Sequence, residues 1–308
     1  MQSPGRGEFT PHLGLDLNQG RKEKREMSYF RNNTRKGIVA LVTGAGGQLG
    51  QDLIVFLKMR GYKVFSYTHE KLEITNQMQV KQEIKEIRPD IVFHSAAYTK
   101  VDQAEEEMDL AFAVNGWGTR NVAVASEEVG AKLVYISTDY VFDGEKGKPY
   151  LEYDRTAPLN VYGASKEMGE QMVRDFHSRF FIVRTSWVYG AYGANFVKTM
   201  LRLGKEQLAV RVVNDQIGSP TYTVDLAEAL LHLIETEKYG IYHLSNSGAC
   251  SWYEFAKAIF EEVGMQVTVE PIPTEAFPRP AKRPKYSVLD HMPGGSMDFL
   301  PCPIGGMD

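Results

Sequence analysis

The chain has 308 residues, of which 43% are hydrophobic, 24% charged and 11% aromatic, with a formal net charge of −4. That length holds one large α/β domain or two smaller ones around a full apolar core. Near-neutral charge with both signs interspersed excludes a nucleic-acid or polybasic membrane binder, which needs a concentrated basic field; the apolar content excludes wholesale disorder.

Two cysteines, Cys250 and Cys302, stand far apart with no metal-ligand spacing. They read as buried or incidental thiols in a reducing compartment. No apolar run approaches the ~20 residues of a membrane span, and no apolar stretch follows the charged N-terminus. A soluble cytoplasmic protein is expected.

Residues 1–36 carry no helical or strand period and are expected to form a disordered extension. Their block Arg21-Lys22-Glu23-Lys24-Arg25-Glu26 can be encoded by purines alone, as a ribosome-binding site would be. A natural start at Met27 is therefore expected. From Gly37 the pattern is regular. Ile38–Val42 is an apolar run suited to a strand buried on both faces. A helix follows with Leu49, Leu53, Phe56 and Leu57 on one face, ended by Gly61. Lys63–Tyr67 reads as a second strand, Thr75–Ile87 as a polar helix stopping before Pro89, and Ile91–Phe93 as a third strand. One long helix is expected over Gln103–Glu128, then a strand at Leu133–Ile136. Later helices are expected at Tyr162–His177, Asn195–Leu203, Val224–Glu235 and Ser251–Val263. Later strands are expected at Phe181–Val183, Val210–Val213 and Ile241–Leu244. Beyond Pro271 regular structure should fade.

Strands alternating with helices predict an α/β, doubly wound parallel sheet of the Rossmann type, with a smaller C-terminal substrate domain. The dinucleotide-binding part is expected at 37–187 and about 205–248. The substrate part is expected at about 188–204 and 249–290, with an irregular tail at 291–308.

Thr43-Gly44-Ala45-Gly46-Gly47-Gln48-Leu49-Gly50 stands between the first strand and the first helix. Gly44, Gly47 and Gly50 let the backbone turn sharply and approach a pyrophosphate, which the helix N-terminus attracts. A strictly NAD-binding chain should end its second strand in an acid, to pair with the ribose 2′-hydroxyl. Here Thr68 takes that position, and His69 and Lys71 favour a phosphate. NADPH acceptance is expected, with NADH left open.

Tyr162 and Lys166 lie four residues apart at a helix start, hence on one face. A phenol near pKa ~10 is a poor acid-base catalyst, and a neighbouring ammonium should lower that value. Ser137 and Thr138 follow the fourth strand at its carboxyl end, where ligands bind in such sheets. A hydroxyl there can donate to a carbonyl oxygen, Tyr162 can exchange its proton, and a nicotinamide can exchange hydride.

In this order the motifs resemble the extended short-chain dehydrogenase/reductase superfamily. The strings at 94–107 (HSAAYTKVDQAEEE), 135–144 (YISTDYVFDG), 158–170 (PLNVYGASKEMGE), 183–190 (VRTSWVYG), 195–204 (NFVKTMLRLG) and 212–222 (VVNDQIGSPTY) resemble the dTDP-4-dehydrorhamnose reductase family. The likeness runs from about Gly37 to Asp290. It implies hydride transfer from NAD(P)H to C4 of dTDP-4-dehydro-L-rhamnose, giving dTDP-L-rhamnose, a precursor of cell-surface polysaccharide.

By the resemblance Tyr162 is the proton donor, Lys166 its pKa modulator and ribose contact, and Thr138 the carbonyl hydrogen-bond donor. Gly47, Gln48 and Leu49 would line the pyrophosphate, and Ala96, Ala97 and Tyr98 would flank the cofactor, as would Ser137. Asp139 and Trp187 match positions that contact the nucleotide sugar, against the plainer readings of a strand-end turn and core packing. Asn115 would bend its helix beside the site. Some members are described as magnesium-dependent, but the histidines here show no metal spacing and no ligands are assigned. Oligomeric state is left open, a homodimer included.

Two other readings remain. One is a catalytically idle NADP-binding subunit, similar to the regulatory β subunit of methionine adenosyltransferase. The other is an epimerase or dehydratase on another nucleotide sugar. One departure stands out: Arg283–Asp290 resembles a late motif expected to lead into a helix containing Trp. Met292–Asp308 is instead Gly/Pro-rich without Trp, as a truncation or reading-frame change would leave it.

Overall fold

A computed structural model describes residues 37–290. The expected extension 1–36 with its Met27 start, the tail 291–308 and Cys302 lie outside the described residues.

Twelve strands are formed among them: β1 Val39–Thr43, β2 Lys63–Tyr67, β3 Ile91–His94, β4 Lys132–Thr138, β5 Phe180–Thr185, β6 Val188–Tyr189, β7 Ala209–Val213, β8 Ile217–Gly218, β9 Thr221–Tyr222, β10 Gly240–His243, β11 Cys250–Ser251 and β12 Thr268–Ile272. The α-helices are α1 Gln48–Met59, α2 Gln77–Ile87, α3 Met108–Phe112, α4 Thr119–Val129, α5 Val161–Phe176, α6 Phe196–Glu206, α7 Thr223–Leu233 and α8 Trp252–Glu262. Their order gives a six-stranded sheet, β10-β5-β4-β3-β1-β2, in which every pairing is parallel. The α/β class is thus as expected.

Continuous apolar runs make the central strands because both faces are covered. On one face Leu49, Leu53 and Leu57 of α1 meet Leu226, Leu230 and Leu231 of α7. On the other, Val80 and Ile84 of α2 pack with Val122 and Ala125 of α4 and Val173 of α5. Each side chain so enclosed contributes about 1.5–3 kcal/mol relative to exposure. The helix ends follow local chemistry. Asn76 caps α2 by accepting from the Gln79 N–H at 3.1 Å, and Gly130, at φ +73°, ends α4.

A third core lies outside the sheet. Val197 and Met200 of α6, Val210 and Val212 of β7, and Phe255, Ile259 and Phe260 of α8 form it. Parallel pairing of β7 with β12 closes this unit. Ser251 and Glu254 start α8 with a reciprocal capping box.

Two expectations are corrected. The single helix over Gln103–Glu128 is interrupted: a 3₁₀ turn at Gln103–Glu105, the short α3, a π-helical segment Ala113–Gly118, then α4. Asn115 and two glycines, poor helix formers, stand within the widened turn. β12 was also not among the expected strands, although past Ile272 only a 3₁₀ turn at Thr274–Ala276 follows among the described residues; Pro271 is tolerated because the strand lies in a two-stranded edge pair.

Sheet order reverses at β1, which lies between β2 and β3. The crevice outside the carboxyl ends of β1 and β3 is therefore the place for a ligand.

Candidate active site

The glycine loop forms one wall of that crevice. Gly44 sits at φ +67°, and a Cβ there would lie 2.6 Å from the backbone of Ser95 and Ala96. A Cβ on Gly50 would strike the Gly44 carbonyl oxygen. Only glycine permits this closeness of loop, helix and β3 exit. Gly47 caps α1 with no side-chain hydrogen bond, and the first turn carries no acid. The N-terminal N–H groups at Gln48 and Leu49 and the positive end of the helix dipole are thus left to an anion. Beside them the Gln48 carboxamide accepts from Asn195 Nδ2 at 2.9 Å. Asn195 also caps α6, so the loop before α6 is held against the start of α1.

Thr68 borders the glycine loop, its methyl 3.6 Å from where a Gly46 Cβ would be. Its hydroxyl bonds the Glu70 carboxylate and holds that carboxyl below its ordinary value. His69 reaches Glu73 instead, at 3.3 Å.

Beyond β3, Ala96, Ala97 and Tyr98 are half-buried along the crevice. Asn115 fixes this stretch: its Oδ1 accepts from Tyr98 N at 2.8 Å and its Nδ2 donates to Tyr98 O at 3.0 Å and to Ser165 Oγ at 2.9 Å. The π-helical turn is what brings a fully buried Asn115 within reach of both segments.

The chemical groups meet where β4 ends and α5 begins. Ser137 and Thr138 complete β4. Asn160 caps α5 through the Gly163 N–H at 2.7 Å, and Gly163 lets the helix press against the Tyr140 backbone. Tyr162 thereby hydrogen-bonds Thr138. Burial pushes the Tyr162 phenol up to about 12, Asp139 adding to the rise and Thr138 opposing it. This corrects the expected lowering by Lys166. The lysine ammonium lies over the ring of Tyr135, 4.1 Å from its centroid, and burial is the largest influence on the phenol. Lys166 is itself 2% exposed. Burial draws it down to about 7, with Glu170 pulling the other way.

Asp139 is buried beside them, and its Oδ1 accepts from Thr138 Oγ1 at 3.0 Å. Burial pushes this carboxyl up to about 6 against hydrogen bonds from Ser287 and Thr138. Its Oδ2 is enclosed without a hydrogen-bond partner, which leaves an acceptor for a polar ligand. Tyr140 lies edge-on to Tyr162, ring centroids 5.9 Å apart, with its hydroxyl bonded to Arg283.

Trp187 adopts φ +47°, a left-handed conformation that costs about 1–2 kcal/mol without glycine. Its ring stacks on Trp252 at 3.5 Å and lies so near Gly218 that a Cβ there would approach Cε2 to 2.5 Å. The half-buried indole thus takes part in the third core.

Among the described residues no group of three or more His, Cys, Asp or Glu could hold a metal ion. No chemistry is routed through a metal ion here. Cys250 is buried and its thiol pushed up to about 12 by burial. Among the described residues no helix is long and apolar enough to cross a membrane.

Two features were not singled out from sequence. His94 is enclosed between Thr43 Oγ1 at 2.7 Å and Thr119 Oγ1 at 3.1 Å; burial draws it down to about 3. Glu170 continues the Tyr162–Lys166 face by one more turn of α5, a spacing that helical periodicity would have flagged.

The chain is similar to known proteins along most of its length. A family model described as the RmlD substrate binding domain matches residues 38–294. The spore coat polysaccharide biosynthesis protein SpsK of Bacillus subtilis (strain 168) is 50% identical over 251 residues, 82% of this chain and 88% of that protein. The dTDP-4-dehydrorhamnose reductase of Aggregatibacter actinomycetemcomitans is 44% identical over 263 residues, 81% of this chain and 90% of the relative. A crystal structure of the Bacillus anthracis str. Ames dTDP-4-dehydrorhamnose reductase in complex with NADP superposes with a TM-score of 0.82 and 56% identity, covering 83% of this chain and 91% of that one. With a family model spanning most of the chain and such relatives along nearly their full length, this chain belongs to the dTDP-4-dehydrorhamnose reductase family.

Proposed function

We propose that the chain reduces the 4-keto group of dTDP-4-dehydro-L-rhamnose to give dTDP-L-rhamnose, with NADPH as the favoured reductant. The observation that carries this reading is the convergence of Thr138, Tyr162 and Lys166 at the carboxyl end of β4, beside an uncapped glycine-loop helix.

Gly44, Gly47, Gln48, Leu49 and Gly50 hold the pyrophosphate, and Ala96, Ala97, Tyr98 and Ser137 flank the rest of the dinucleotide. When bound, the nicotinamide supplies the hydride. Thr138, its hydroxyl turned from Asp139 Oδ1 to the substrate, donates to the carbonyl oxygen and orients it. Tyr162, kept protonated by burial, gives its phenolic proton to that oxygen as the C4 alcohol forms. Lys166 contacts the ribose and offsets the phenolate left behind. Asp139 Oδ2 accepts from a sugar hydroxyl, and the open edge of Trp187 bounds the sugar. Thr68 with the exposed Lys71 suits a 2′-phosphate; the Glu70 carboxylate on Thr68 works against it, so NADPH leads by a modest margin. The relative crystallised with NADP supports this choice.

The test is nicotinamide oxidation with the dTDP-4-keto sugar, run with NADPH and NADH, for the wild type and Tyr162→Phe. Turnover with higher kcat/KM for NADPH, falling about 100-fold or more in the variant, is expected. No turnover, or turnover unchanged in Tyr162→Phe, overturns the reading and leaves the idle subunit. A strong NADH preference overturns the choice of reductant alone.

A further inference from the structure

Tyr162, Lys166 and Glu170 occupy positions i, i+4 and i+8 of α5, one face of the helix. Glu170 is fully buried, far below the exposure usual for a carboxylate. Its Oε1 accepts from Arg184 Nε at 2.8 Å and from Ser137 Oγ at 2.6 Å; its Oε2 accepts from Arg184 Nη2 at 2.7 Å. Arg174 approaches Oε2 at 3.7 Å. Arg184 is equally enclosed, with the Phe142 ring 5.0 Å from its guanidinium.

We propose that Glu170, held by Arg184, is a positioning residue for Lys166: its carboxylate keeps the buried ammonium charged, and its bond to Ser137 locks the end of β4 to α5. Stability alone is a weak reason for this arrangement, since an apolar pair of similar volume packs as well in many cores. The charge has a second address in Lys166, one helical turn away.

The groups facing Lys166 narrow the choice. From β3 comes His94, drawn down to about 3 and so neutral. From β4 comes Tyr135, raised well above the ordinary phenol by burial. On α5 itself stand Tyr162, raised to about 12, and Glu170. Glu170, ion-paired with Arg184 at 2.7 Å, is the carboxylate in this set. Its two cationic partners, Arg184 and Arg174, moderate that charge, and Lys166 stands one turn of α5 away on the same face. Ser137 extends the effect to geometry: Thr138 is the next residue along β4, so a shift of α5 against β4 would separate Thr138 from Tyr162.

This inference rests on Lys166 serving the reductase site, yet it is readable without substrate. In the full chain labelled with ¹³C at lysine Cε, the Lys166 signal is assigned by its loss in Lys166→Gln and titrated in Glu170→Gln and Glu170→Asp. The Lys166 midpoint is expected to fall by about 1 pH unit or more in Glu170→Gln, and by less than half as much in Glu170→Asp, which keeps the charge on a shorter arm. In turnover, the alkaline limb of the kcat–pH profile should move to lower pH in Glu170→Gln alone. An unmoved midpoint in Glu170→Gln, or an equal fall in both variants, overturns the proposal. Should Glu170→Gln fail to fold, Glu170→Gln/Arg184→Met removes both buried charges together, and a smaller fall of the Lys166 midpoint, in the same direction, is required of it. Absence of turnover in the wild type defeats the reductase reading and leaves this titration standing.

Discussion

Gly44 shows how one residue fixes a binding wall. It combines a left-handed φ of +67° with a backbone-to-backbone approach that a Cβ would bring to 2.6 Å. An alanine would be strained by its conformation and, because the atoms it meets are Ser95 and Ala96 backbone, could find no flexible side chain to displace. The β3 exit, which carries Ala96 and Ala97, would have to retreat from the loop. Gly44→Ala is therefore expected to weaken NADPH binding at least 10-fold and to destabilise the fold by about 1–3 kcal/mol, read by fluorescence titration and urea denaturation. Gly46 makes the internal control. A Cβ there meets only the Thr68 methyl at 3.6 Å, an ordinary contact. Equal losses at the two positions would show that the close approach at Gly44 does not shape the binding wall.

Elements carry the next layer, and the π-helical turn Ala113–Gly118 is the informative one. Its fully buried Asn115 ties the backbone of Tyr98, after β3, to Ser165 on α5. Asn115→Ala would leave the Tyr98 N–H and C=O unpaired, at a cost of about 2–3 kcal/mol. The thermal midpoint should fall by about 4–10 °C, with kcat reduced as Ser165 and the start of α5 loosen. An unchanged midpoint in a melting curve would dismiss the tie. A bend at Asn115 was expected from the sequence, but its partners were not. Strands such as Val39–Thr43 announce themselves because burial on both faces demands an unbroken apolar run, and Gly44, Tyr162 and Lys166 because their chemistry is local to one turn or one helix face. The bend at Asn115 depends on partners 17 and 50 positions away, which no local period reports. The two-residue strands β8 and β11 are too short to show any period. Thr268–Ile272 buries only Ile272, and its pairing with β7 is set by the third core. The phenol of Tyr162 was misjudged for a related reason: neighbours in sequence reveal a nearby lysine, whereas burial is a property of the packed molecule.

Across the whole molecule, the late segment 277–290 reaches back to Tyr150, to the start of α5 and to β8. Asn160 Nδ2 donates to Lys282 O at 2.7 Å, Ile217 N to Lys285 O at 2.8 Å, and Asp290 N to Tyr150 O at 2.8 Å. Its firmest anchor is Asp102, just after the β3 exit. Arg283 Nη1 donates to Asp102 Oδ1 at 2.5 Å, Arg279 Nε to Oδ2 at 2.9 Å, and the Ala281 N–H also donates to Oδ1. Arg283 goes on to bond Tyr140, whose ring abuts Tyr162, so the clasp connects the segment to the proton donor. The hydrogen bond and charge of Arg283, with help from Arg279, hold the Asp102 carboxyl down at about 2. A carboxyl depressed in the folded state stabilises it fully above the unfolded value near ~3.9, and that contribution fades as pH falls toward about 2. Asp102→Asn should thus cost about 1–2 kcal/mol at pH 7, a figure reduced for the solvent exposure of Arg279. The cost should shrink as the wild type is acidified from pH 5 to pH 2, where its own Asp102 becomes protonated. Urea denaturation of both proteins across that window measures the difference. A gap that stays constant with pH would mean that the carboxylate's charge plays no part in the clasp, and an absent gap at pH 7 would mean that the late segment is held by its backbone bonds alone.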